Sequence, residues 1–137
     1  MRRRRDDRLR RLPMFRGSSD HEVARVLRLA DVLDVASQHV LVREGDYTSE
    51  FYVLVAGQAS VTRGDRLLGL IGPGDYCGEL ALLDPAPRNA TVTMVTDGTV
   101  LSLCRREFET LLDDMPAFSR RLLAGLARRV HEVDVRT

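Results

Sequence analysis

The alternation of apolar and polar positions divides the chain into a helical start, a long β-rich middle and a helical end. Val23, Val26, Leu27 and Ala30 recur at i, i+3, i+4 and i+7, which makes one apolar face of a helix of about three turns. Ser19 precedes that face and Glu22 follows three residues later, the pattern in which each side chain satisfies a backbone N–H of the other. From Asp31 the texture changes to short runs of β-formers. Strands are predicted at Val32–Val35, Val40–Val42, Phe51–Val55, Ala59–Thr62, Leu67–Ile71, Thr91–Val95 and Thr99–Leu103. Turn residues separate them, and Gly64-Asp65 between two extended runs reads as a tight hairpin.

The last third returns to helical spacing. Arg105–Met115 predicts one helix with Phe108, Leu111 and Leu112 inward. Pro116 suits a first helical turn and opens a second helix, Pro116–Val133, with Phe118, Leu122, Leu126 and Val130 on its apolar face. Many short strands at close spacing indicate a sandwich or a barrel-like roll. The expected fold is therefore α+β and mainly β: a jelly-roll-like β-roll, or double-stranded β-helix. It carries an N-terminal helix, a short helix inside the roll and two C-terminal helices.

Composition narrows the class without changing the fold. The 137 residues make about one domain, and 44% apolar with 30% charged residues is ordinary for a globular chain. No apolar run reaches the roughly 18–20 residues that span a bilayer. The Arg-rich start is not followed by an apolar stretch, so the chain reads as cytoplasmic. Cys77 and Cys104 lie far apart and read as reduced thiols, and the three His have no metal-ligand spacing. Every basic residue is Arg, which excludes a Schiff-base or P-loop lysine. Residues 1–16 hold eight Arg against two Asp and read as a disordered arm, leaving residues 17–137 as a single domain. That arm alone makes no strong case for DNA.

The candidate chemistry lies between the strands, where a plain roll needs only a turn: Gly78-Glu79-Leu80-Ala81-Leu82-Leu83-Asp84-Pro85-Ala86-Pro87-Arg88-Asn89-Ala90. Glu79–Leu83 is helix-compatible, and a helix N-terminus entered through Gly78 suits a phosphate. Arg88 supplies a planar fork that matches two phosphate oxygens. Glu79, itself an anion, is better used as an acceptor for a sugar hydroxyl. Taken singly, Glu79 also fits the first turn of any helix and Arg88 also fits a surface arginine. Together they describe a ligand with one negative charge and a free ribose hydroxyl, as a cyclic nucleotide has.

The segment resembles the phosphate-binding cassette of the cyclic nucleotide-binding domain family, with the form G-E-[LI]-A-L, about five residues, then P-R-x-A-T-V. Val42-Arg43-Glu44-Gly45-Asp46, Phe51-Tyr52-Val53-Leu54 and Gly57 resemble that family's glycine-marked hairpin. The likeness covers roughly residues 12–131. It implies that Glu79 accepts from the ribose 2′-hydroxyl and Arg88 pairs with the cyclic phosphate. Backbone amides near Ala81 and Asn89 would complete the cradle, shaped by Gly78, Leu80 and Ala90. Cys77 stands where the family is usually bulky and apolar. Asn89 stands where it usually has Ala, Ser or Thr, which leaves cAMP the first expectation and cGMP open.

The resemblance implies a regulatory sensor for a cyclic nucleotide, gated by the C-terminal helix, with no catalysis and no cofactor. No nucleophile–base pair or catalytic carboxylate pair is recognisable. No helix-turn-helix is expected within this sequence after the final helix. The expected readout is a protein effector, a homodimer through the C-terminal helix, or a domain outside this sequence. The alternative from another class is a protein-interaction module that keeps the roll without the ligand.

Overall fold

The computed structural model describes residues 11–12, 15–48, 50–78 and 87–124. Helix α1 (Asp20–Leu29) opens on the expected reciprocal cap: Ser19 N–H donates to Glu22 Oε1 at 2.9 Å and Glu22 N–H to Ser19 Oγ at 3.1 Å. Its Val23 and Val26 are buried, and the chain turns extended at Ala30. Eight strands follow: β1 (Asp31–Val35), β2 (Val40–Val42), β3 (Glu50–Ala56), β4 (Ala59–Arg63), β5 (Arg66–Ile71), β6 (Tyr76–Cys77), β7 (Thr91–Met94) and β8 (Gly98–Cys104). Helix α2 (Arg105–Asp114) and the helical residues 116–124, here α3, close the described chain.

The strands form two four-stranded antiparallel sheets, ordered β1-β8-β3-β6 and β2-β7-β4-β5. The first sheet is covered on both faces, and its sequences show why. In β3, Phe51 and Val53 face the helices while Tyr52 and Leu54 face the second sheet. In β8, Leu101 and Leu103 face the helices and Val100 faces the second sheet. A strand buried on both faces must read as a continuous apolar run, as Phe51–Val55 does. Both cores therefore share strands β3 and β8, whose register burial on each face specifies.

All four phenylalanines meet in the helix-side core. Phe51 lies 4.8 Å from Phe108, centroid to centroid, and meets Phe118 edge-on at 6.5 Å. Phe15 stacks on Phe118 at 6.2 Å. Leu12 and Phe15 are only 4% and 2% exposed. The core thus begins inside the segment expected to be an arm, because these two apolar residues escape notice among the arginines. Residues 1–10, which carry most of that charge, lie outside the described residues.

One strand was absent from the sequence reading. β6 pairs Tyr52 with Cys77 and Val53 with Tyr76, and two residues after a Gly-Pro-Gly-Asp turn carry no alternation to detect. The Gly64-Asp65 hairpin is as predicted, joining Arg63 to Arg66 with Gly64 at φ +57°. The cassette helix expected at Glu79–Leu83, and the expected helix beyond residue 124 with Leu126 and Val130, lie outside the described residues.

Candidate functional site

β6 runs directly into Gly78, and Arg88 to Ala90 lead into β7. The roll brings both ends of the candidate segment against β3. Arg88 is 5% exposed, so the surface position that the sequence left open for it is excluded. Its Nε donates to Thr48 Oγ1 at 3.0 Å, Nη1 to the Gly78 carbonyl at 3.0 Å, and Nη2 to the Glu50 carbonyl at 2.7 Å. All three acceptors are neutral. Among the described residues no carboxylate pairs with Arg88; the described ion pair is Arg25 with Asp114, on the surface between α1 and α2.

Burying a cation without a counterion is costly, and neutral dipoles offset only part of the lost hydration. The charge that remains favours an anion. Neutral oxygens hold the fork rigid without cancelling it, which suits recognition of a phosphate monoanion.

The backbone of Arg88 is fixed as firmly. Its N–H donates to the Asp46 carbonyl at 2.9 Å, and its carbonyl accepts from Gly45 N–H at 2.8 Å. In a planar trans peptide the next N–H points opposite to that carbonyl. The Asn89 N–H is thereby directed away from the Arg43–Asp46 turn. Asn89 itself is exposed, and its carbonyl accepts from Arg63 Nε at 2.9 Å. Glu44 links the same turn to the β4–β5 hairpin: its Oε1 accepts from Gly64 N–H at 2.8 Å.

Gly78 has φ +93°, a conformation that disfavours any side chain. A Cβ there would stand 2.5 Å from the Glu50 carbonyl oxygen and 3.0 Å from Arg88 Nη1. The glycine is therefore required by the arginine's own seat. Ala90 is half-buried beside Asn89. Of the expected site residues, Gly78, Arg88, Asn89 and Ala90 come together; Glu79, Leu80 and Ala81 lie outside the described residues.

Sequence reasoning named the Arg43–Asp46 turn as a matching stretch but gave it no task, and the structure shows it pinning Arg88. Thr48 and Arg63 were missed; a single Thr and a hairpin Arg leave no pattern to find. Tyr52 stands nearby on β3, and burial pushes its hydroxyl pKa up, with Glu50 and Cys77 adding to the rise and Arg88 opposing it. Among the described residues no group of three His, Cys, Asp or Glu could hold a metal ion, and no helix is long and apolar enough to cross a membrane.

Comparison with known proteins agrees with this geometry. The family model described as "Cyclic nucleotide-binding domain" matches residues 32–115. The CRP-like cAMP-activated global transcriptional regulator of Mycobacterium tuberculosis is 28% identical over 134 residues, 94% of this chain and 60% of that protein. A cAMP-dependent protein kinase regulatory subunit of Eremothecium gossypii is 38% identical over 112 residues, 78% of this chain and 24% of that one. Among solved structures, the Thermus thermophilus catabolite activator protein superposes with a TM-score of 0.82 at 30% identity, covering 90% of this chain and 61% of that one. The chain spans about 60% or less of the curated relatives it first matches. With the β-roll, the cassette spacing and the family model in agreement, the chain belongs to the cyclic nucleotide-binding domain family.

Proposed function

We propose that this chain is a regulatory domain that binds cAMP, with Arg88 pairing to the cyclic phosphate and Glu79 accepting from the ribose 2′-hydroxyl. The observation that carries the reading is the buried Arg88 guanidinium, held at three positions by neutral oxygens and by no described carboxylate. Gly78 lets the backbone approach that guanidinium, and Asn89 and Ala81 offer amides to the phosphate. Leu80 and Ala90 shape the cradle. The names of the relatives point the same way, since both the mycobacterial regulator and the kinase subunits are named for cAMP.

On this reading the domain acts by binding, in the cytoplasm, and passes its state to an effector. Residues 17–137 with the Leu12–Phe15 anchor form the binding unit. The C-terminal helix is the element that a ligand shifts, by favouring one of its positions over another.

Calorimetric titration with cAMP and with cGMP tests the reading. Saturable binding to the wild type, lost in Glu79→Ala and strongly weakened in Arg88→Lys, is the expected result. The lysine variant keeps the charge at the buried position, so weakened binding is not confused with misfolding. No heat and no thermal stabilisation at millimolar ligand would leave the chain as an interaction module of the same fold.

A further inference from the structure

Tyr52 is a polar side chain at this end of the roll that the site described above does not use. It pairs with Cys77 of β6 on one side and Ser102 of β8 on the other. Strand alternation turns it, with Leu54 and Cys77, toward the space between the sheets. The two backbone carbonyls that seat Arg88 belong to Glu50, two residues before Tyr52, and to Gly78, one residue after its partner Cys77. Tyr52 and the Arg88 guanidinium therefore lie at the same end of the β3–β6 pair, near enough for the arginine charge to act on the phenol.

The hydroxyl of Tyr52 has no hydrogen-bond partner among the described residues. It is not among the buried unpartnered atoms either, so it stays open to a ligand or to water, where packing alone would be served as well by phenylalanine. We propose that Tyr52 is a ligand-contacting residue whose hydroxyl donates a hydrogen bond to an exocyclic oxygen of the cyclic phosphate held by Arg88. The proposal rests on the cyclic nucleotide reading and deepens it. A neutral donor beside the arginine fork adds a charge-assisted bond to a phosphate monoanion without adding repulsion. A phenol is protonated at neutral pH and burial raises its pKa further, so it is a donor there.

The test is the dissociation constant of cAMP and of its two phosphorothioate diastereomers, each with sulfur replacing one exocyclic oxygen, for wild type and Tyr52→Phe. The substitution conserves shape and is expected to leave the melting temperature nearly unchanged. For cAMP the variant should bind about tenfold more weakly. Sulfur is a poor acceptor, so for one diastereomer the variant-to-wild-type ratio should fall toward one, while for the other it stays near tenfold. Wild-type binding with equal affinity in Tyr52→Phe, or one common ratio for all three ligands, overturns the contact and leaves the cAMP reading standing. No binding of cAMP to the wild type overturns both.

Discussion

The carbonyl of Gly78 accepts a 3.0 Å hydrogen bond from Nη1 of Arg88, ten residues later in the chain. The two ends of the candidate segment are thus clasped to one another; the Glu50 carbonyl of β3 accepts from Arg88 and lies close against Gly78. A positive-φ glycine and a buried arginine thus share one seat. The arrangement presets the fork before any anion arrives, so little conformational entropy remains to be lost on binding.

Gly78→Ala should therefore disturb the seat of the arginine as well as the backbone. The added methyl meets a backbone oxygen at 2.5 Å and sits at φ +93°, and neither can be relieved by a rotamer change. A loss of about 2–4 kcal/mol in urea unfolding is expected, with ligand affinity falling alongside. Unchanged stability would mean that β6 and β3 separate easily at this point.

Arg88→Lys separates charge from geometry. Lysine restores a cation but has three donors on one point and no planar fork. It can serve only part of the set Thr48, Gly78 and Glu50 while facing a phosphate. Affinity for cAMP should fall on the order of 100-fold, with a stability loss of about 1–2 kcal/mol. Calorimetry beside chemical unfolding reads the two effects separately. Wild-type affinity in this variant would show that charge alone selects the ligand.

The sequence made the sheet-and-helix framework legible where residues repeat a pattern. Ser19 and Glu22 announced the first helix, and the run Phe51–Val55 announced a strand, though not that both its faces are buried. Gly78 and Arg88 were found because their residue types and spacing carry phosphate chemistry. What stayed hidden depends on long-range placement. Thr48 and the Glu50 carbonyl matter only because the roll folds Arg88 onto them from about 40 residues away. Leu12 and Phe15 were lost to the charge around them, although burial, not local composition, decides which residues order.

Phe118 joins the terminal helix to the sheet. It is 1% exposed and touches three other phenylalanine rings, Phe15, Phe51 and Phe108. Phe118→Ala should cost about 3–5 kcal/mol through lost transfer energy and the cavity left behind. Phe118→Leu, which refills most of that volume, should cost about 1–2 kcal/mol and remain folded enough to titrate. If helix α3 is the element that responds to ligand, the leucine variant should also alter cAMP affinity while leaving the Arg88 seat untouched. A variant as stable as the wild type would show that α3 is only loosely docked.

Tyr52 gives the site a signature in alkaline solution. Burial, then Glu50 and Cys77, hold its pKa above the ordinary tyrosine value near 10, so the folded state prefers the neutral phenol. A raised pKa contributes stability that is fully present below the unfolded value. That stability is lost as pH climbs through the folded one. The chain has three tyrosines and no tryptophan, and Tyr47 is 80% exposed. Tyrosinate absorbance should show a phase above pH 10 in the wild type that disappears in Tyr52→Phe. The denaturation midpoints of the two proteins should diverge across that same range, the wild type alone losing this contribution. A difference spectrum with only an ordinary phase near 10 would mean that burial of the Tyr52 hydroxyl does not outweigh the pull of Arg88.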